Sequence, residues 1–192
     1  MQGVGNDIVD LKVAATESNW QRKGFLNKIF TNTEIKYINN SDDKFNTVWR
    51  LWSMKESAYK LYIQQNDERF FNPKKLECTI FSKNEGQVII RESSFSTSTK
   101  SNSNFIFSTA LIDKSTIVIS CNFKINRASQ SEQTHSAILH YIAFLTKSKL
   151  SKLTIQKSTN NTPSLYFENK QLPWLISLSH HGTFGAFSLI KN

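Results

Sequence analysis

Glu56 and Lys60 lie four residues apart in Trp52-Ser53-Met54-Lys55-Glu56-Ser57-Ala58-Tyr59-Lys60, a spacing that puts a carboxylate and an ammonium on one helical face. Such a pair can hold a hard cation and a phosphate side by side. Equally, it can be an ordinary surface ion pair worth about 0.3 to 0.5 kcal/mol, with Trp52 and Tyr59 serving as core. Near the start, Gly3-Val4-Gly5-Asn6-Asp7-Ile8-Val9-Asp10 ends an apolar strand in carboxylates, the oxygen ligands that magnesium takes while leaving room for substrate phosphates. An Asp closing a strand is also commonplace in plain turns. Near the other end, Ile176-Ser177-Leu178-Ser179-His180-His181-Gly182 runs an apolar strand into two of the four histidines and a glycine. Hydroxyl, imidazole and backbone N–H groups beside a glycine turn make an anion site, although a histidine at a strand end is more often a satisfied polar residue.

These segments need elements to hold them. Apolar residues alternate from Gly3 to Leu11, predicting a short interior strand that ends near Asp7 to Asp10. Trp20–Ile29 and Thr33–Ile38 read as short helices, the second capped by Thr31 or Thr33 with Glu34 in its first turn. Helical spacing of Val48, Leu51, Trp52, Ala58, Tyr59 and Tyr62 predicts a long helix over Lys44–Ile63, the strongest in the chain. The pattern then changes to period two, predicting antiparallel strands over Leu76–Phe81, Gln87–Arg91, Asn104–Leu111 and Thr116–Phe123, with Ser93–Ser103 as an exposed hairpin loop. A helix over Gln130–Thr146 and strands at Leu153–Gln156, Ser164–Phe167, Leu175–Leu178 and Thr183–Ile190 follow. The fold class expected is α+β, antiparallel sheets packed with helices. No internal repeat is visible in the residues themselves.

The 192 residues fit one large domain or two small halves, and 39% hydrophobic residues suffice for an ordinary core. No run of about 18 apolar residues occurs, and the start lacks the basic head and apolar stretch of a signal peptide, so a cytoplasmic location without membrane contact is expected. Cys78 and Cys121 stand apart in alternating stretches and read as buried thiols. Lys and Arg outnumber Asp and Glu by 24 to 15, a formal charge of +9 that favours anionic partners. Those cations are spread along the chain and accompany no zinc-finger spacing, RNP-like segment or helix-turn-helix, which argues against nucleic acid.

Taken in order, Gly5-Asn6-Asp7-Ile8-Val9-Asp10, Trp52 to Lys60 and Ser177 to Gly182 resemble the motifs of the 4'-phosphopantetheinyl transferase superfamily. The helix motif, of the form W-[ST]-x-K-E-[SA]-x-x-K, is the specific one. The resemblance implies the 4'-phosphopantetheinyl transferase fold with two pseudo-symmetric halves. It also implies a magnesium-dependent enzyme that moves the phosphopantetheine arm of coenzyme A to a serine of an apo acyl- or peptidyl-carrier protein, as in fatty acid or polyketide biosynthesis. By the same resemblance Asp7 and Glu56 bind magnesium and Lys60 meets the pyrophosphate. Ser179 and His180 lie at the nucleotide and 3'-phosphate, Lys55 is counted among the coenzyme contacts, and Glu56 is the candidate base for the serine. An inactive coenzyme A or carrier-binding module on the same fold is the alternative.

The chain departs from the larger, two-half members of that superfamily. Val9 stands where they place a second carboxylate, with Asp10 one further on, as in the small holo-acyl-carrier-protein synthases. Asn161-Thr162-Pro163 matches their Gly-Lys-Pro turn without its lysine, for which Lys157 is the candidate substitute. The Ser-His turn comes last, again as in the small synthases. Two arrangements follow: a trimer with sites between subunits, or a rearranged pseudo-dimer whose halves, 1–125 and 126–192, build one site in a monomer.

Overall fold

The computed structural model describes residues 2–66, 69–70 and 72–191, so that residues 1 and 192 of the two expected halves lie outside the described residues. Strand β1 (Val4–Asp10) is buried along almost its whole length. Its last residue caps helix α1 (Leu11–Glu17), the Asp10 carboxylate accepting from the N–H groups of Lys12 and Val13. The sequence reading ended the strand near Asp7 to Asp10, as found, and missed this helix. The Trp20–Ile29 helix shrinks to α2 (Phe25–Ile29), because Gly24 adopts a left-handed φ of 84° and forces a fresh start. Helix α3 (Asn32–Asn39) opens with the expected Thr31 cap, completed into a capping box by Glu34.

Helix α4 (Lys44–Gln65) is close to its predicted span. With no Gly or Pro in 22 residues it runs unbroken, burying Val48, Leu51, Met54, Ala58 and Leu61 at three- and four-residue steps. Strand β1 lies directly on it. A side chain at Gly5 would bring its Cβ to 1.8 Å from the Ser57 carbonyl oxygen, so only glycine permits this approach.

Strands β2 (Leu76–Ile80), β3 (Glu85–Ile90), β4 (Ser93–Ser101) and β5 (Phe105–Leu111) form a meander that closes antiparallel on β1, in the order β1-β5-β4-β3-β2. The expected Ser93–Ser103 loop is therefore a strand. Phe95, Thr97 and Thr99 point inward with exposed or half-buried serines between them, an alternation written mostly in hydroxyl residues instead of hydrophobic ones. The Thr99 and Ser108 hydroxyls pair across β4 and β5 at 3.0 Å.

The second part repeats the plan: β6 (Ile119–Lys124), helix α5 (Gln130–Thr146), then β7 (Leu153–Lys157), β8 (Pro163–Phe167), β9 (Lys170–His181) and β10 (Phe184–Lys191), in the order β6-β10-β9-β8-β7. Each half is thus a strand, a helical stretch and a four-strand meander whose last strand pairs with the first. Strand β6, which the sequence reading assigned to the first half, pairs with β10. By sheet membership the halves divide in the 112–118 connection. Cys121, expected to be buried, sits exposed on this strand, whereas Cys78 is buried.

Three apolar clusters result. One packs α4 on the first sheet, one packs Ile138 and Ile142 of α5 on the second, and a small one joins Ile8, Phe107, Phe184 and Ala186 at the seam. Strand β1, predicted to be interior, is an edge in hydrogen-bonding terms, yet β9 and β10 cover it. Two of its outward N–H groups go to side chains of β9: Asn6 N–H donates to Ser177 Oγ at 2.8 Å and Asp10 N–H to His181 Nδ1 at 2.9 Å. No described helix is long and apolar enough to cross a membrane.

Candidate active site

Where β1, α4 and β9 meet, Lys60 ties the halves together. Its ammonium donates to the Asn6 carbonyl at 2.8 Å and the Leu178 carbonyl at 3.4 Å, and pairs with Asp7 Oδ1 at 3.3 Å. Ser53 fixes the strand by donating its hydroxyl to the Asp7 carbonyl at 3.2 Å. Glu56 lies one turn before Lys60, at an intermediate level of burial.

The two carboxylates disturb each other. Burial raises the Asp7 pKa, and Lys60 offsets this only in part. Burial, then the charge of Asp7, pushes Glu56 up to about 7, with Lys60 again pulling the other way. One ammonium thus serves two partly buried acids, and their excess negative charge is what a divalent cation relieves. Among the described residues no group of three His, Cys, Asp or Glu is poised to hold a metal. Two carboxylates suit magnesium, which keeps waters and phosphate oxygens in its remaining positions.

Asp10 does not join them. Its Oδ1 accepts from Lys12 N–H at 3.1 Å and Val13 N–H at 3.2 Å, and its Oδ2 accepts from both Thr183 N–H and Thr183 Oγ1 at 2.9 Å. Burial would raise its pKa, but these bonds outweigh that and hold it low. The turn that meets it needs Gly182, where φ is 58° and a Cβ would come within 2.4 Å of Asp10 Oδ2.

Beside Asp7 opens a cleft of about 360 Å³, walled by α4 and β1 on one side and by α5, β9 and the β7–β8 turn on the other. Of the expected site residues, Asp7, Lys60, Ser179 and His180 line it together. The side chain of Ser179 is 5% exposed and its hydroxyl has no partner among the described residues, as a ligand-binding hydroxyl would before its ligand arrives. Burial, then Lys60, His135 and Lys157, holds the His180 pKa below its ordinary value, so the free cleft carries it as neutral imidazole.

Lys55 belongs elsewhere. It is 1% exposed, pairs with the fully buried Glu34 at 2.8 Å, and donates to the carbonyls of Pro73 and Leu76. The expectation that it touches coenzyme is corrected: its ammonium is consumed in docking α3 and β2 onto α4. Glu56 borders a small cavity of about 80 Å³ on that side, lined by Tyr59, Phe70 and Pro73.

Sequence reasoning missed Gln64, Arg69, Thr134 and His135, all of which line the cleft. Gln64 also clamps the seam, accepting from Val4 N–H at 3.2 Å and donating to the Ile176 carbonyl at 2.8 Å. His135 sits off the apolar face of α5, where a single histidine gives no signal. Lys157, the candidate substitute, does line the cleft.

The family model described as the 4'-phosphopantetheinyl transferase superfamily matches residues 3–112, the part that carries Asp7, Glu56 and Lys60. No curated protein sequence matches the chain. Among solved structures, holo-[acyl-carrier-protein] synthase from Neisseria meningitidis is similar at 13% identity and a TM-score of 0.45, over 58% of this chain and 98% of that one. The Thermotoga maritima holo-[acyl-carrier-protein] synthase is similar at 12% identity and 0.46, over 86% of this chain and 83% of that one. With its motifs assembled on one seam and more than half of its length matched, this chain belongs to the 4'-phosphopantetheinyl transferase superfamily.

Proposed function

We propose that the protein transfers 4'-phosphopantetheine from coenzyme A to a serine hydroxyl of an apo acyl- or peptidyl-carrier protein, releasing adenosine 3',5'-bisphosphate. The observation that carries this reading is the pair of mutually repelling, partly buried carboxylates, Asp7 and Glu56, of which Asp7 lines a cleft supplied with Lys60, Arg69 and Lys157 and Glu56 lies one helical turn from Lys60. Asp7 and Glu56 would hold magnesium, which supplies positive charge to the coenzyme's pyrophosphate when bound. Lys60 meets that pyrophosphate from α4, while Ser179, His180 and Lys157 receive the nucleotide and its 3'-phosphate.

In the transfer the serine oxygen forms a bond to the phosphorus that bears the pantetheine, and the bond from that phosphorus to the oxygen of the 5'-phosphate breaks. Glu56 is the candidate acceptor of the serine proton, directly or through a water of the metal it would hold. Lys60 and Arg69 neutralise the bisphosphate as it leaves.

Because residues of both halves line the cleft, one chain is sufficient to form it. This supports the monomeric pseudo-dimer over a trimer. With coenzyme A and carrier proteins as substrates, a cytoplasmic location is part of this proposal. The test is mass spectrometry of an apo carrier protein after incubation with coenzyme A and magnesium. A gain of one phosphopantetheine, abolished by chelator, is expected; binding of coenzyme A with no gain on any carrier protein would reduce the chain to a binding module.

A further inference from the structure

Two of the four histidines in the sequence are spent on the fold. His181 Nδ1 accepts from Asp10 N–H at 2.9 Å, and His140, exposed on α5, donates from Nδ1 to the Ser136 carbonyl at 2.8 Å. The other two, His135 and His180, both line the cleft, and neither ring makes a hydrogen bond among the described residues. An imidazole that packs for structure finds a partner for its ring nitrogens, as His140 and His181 do.

The packing of α5 on the second sheet brings these two rings together. His180 and Gly185 are register partners on β9 and β10, and directly opposed residues share one face of a sheet. A Cβ at Gly185 would lie 2.8 Å from Thr134 Oγ1, so α5 crosses that face with Thr134 over Gly185. Thr134 turns its hydroxyl back to the Gln130 carbonyl at 2.8 Å and offers nothing to the cleft. His135, the next residue, is partly buried beside His180, close enough for its charge to act on that ring. Lys157 reaches the same end from β7, and its charge acts on both imidazoles. Among the described residues that line the cleft Asp7 is the single acid, and Lys60 pairs with it. Glu132, in the first turn of α5, is exposed and outside the lining. The α5 end of the cleft thus gathers one ammonium and two unspent imidazoles with no carboxylate to consume them, a donor set suited to the several oxygens of a phosphate monoester.

We propose that His135 is a specificity-determining residue. It donates a ring N–H to the phosphate monoester on the ribose of the coenzyme, together with His180 and Lys157, and so makes the cleft select nucleotides that carry this phosphate over those that lack it. The choice of coenzyme as ligand rests on the function proposed above; the role of His135 does not depend on whether transfer follows.

Calorimetric titration of the full chain with adenosine 3',5'-bisphosphate and with adenosine 5'-monophosphate, at one magnesium concentration throughout, tests it. The parent should prefer the bisphosphate. His135→Ala should weaken the bisphosphate about tenfold and leave the monophosphate unchanged, so that the preference shrinks by that factor. His135→Lys, which returns an N–H donor, should keep the preference. His140→Ala, on the same helix and outside the cleft, should alter neither affinity. A preference that survives His135→Ala, or an equal loss for both nucleotides, would overturn the inference and leave the transferase reading standing. A parent that shows the preference and its loss in His135→Ala, yet modifies no carrier protein, would overturn the transferase reading alone. A parent that binds neither nucleotide would overturn both.

Discussion

Glu56 carries opposing demands. Its pKa in the folded chain, about 7, exceeds the ordinary 4.5, so the folded state holds the proton more tightly than the unfolded state does. Its contribution to stability is fully present below about pH 4.5 and is lost as pH rises through about 7. Denaturant unfolding without metal should therefore show about 2 kcal/mol of stability lost to this group between pH 5 and 8, allowing for its partial exposure, and Glu56→Gln should remove that loss. Magnesium should restore stability to the parent at pH 8 and not to the variant. The same substitution should lower kcat by on the order of 10² to 10⁴. His180 predicts a second linkage: a phosphate placed against the neutral ring favours its protonation, so adenosine 3',5'-bisphosphate binding near about pH 6.5 should take up protons. Titrations in buffers of different ionisation enthalpy would measure this, and His180→Ala should abolish it. The sequence motifs named Asp7, Glu56 and His180 as site residues. They left open whether Asp10 joins Asp7 and grouped Lys55 with the coenzyme contacts, because neighbouring residues on an element look to different partners, and packing turns Asp10 to Thr183 and Lys55 to Glu34.

At the level of elements, α3, α4 and β2 depend on a buried ion pair. Glu34 receives Lys55, caps its own helix by accepting from Thr31 N–H at 2.8 Å, and accepts from Cys78 N–H at 2.7 Å. Removing the cation leaves a buried carboxylate unpaired, so Lys55→Ala should cost about 3 to 5 kcal/mol in denaturant unfolding. Coenzyme A affinity of the folded fraction should be unchanged, whereas a selective loss of affinity would return Lys55 to the cleft. Gly5→Ala tests the contact of β1 with α4. Overpacking against backbone should lower the thermal midpoint sharply even though alanine is the better helix and strand former. Helices α4 and α5 were legible because their apolar spacing is regular over many turns. Strand β4 was not, since serine and threonine fill both of its faces, and α1 was hidden by an apolar run continuing from the strand before it.

For the molecule as a whole, the duplicated plan was invisible in the residues because the halves share architecture and not side chains: α4 carries Glu56 and Lys60, and α5 has no counterpart to either. Topology revealed it. Light scattering should give a particle near 22.1 kDa, the mass of one chain; three times that value would mean sites shared between subunits. The coverage of β1 by β9 also bears on biosynthesis. Asn6 and Ser177 are 171 residues apart in the chain, as are Asp10 and His181. A nascent chain leaving the ribosome therefore exposes β1 uncovered until the residues of β9, 171 positions later, have emerged. Premature termination before β9 should leave a product with a sticky margin and no activity, a natural substrate for chaperones and proteases.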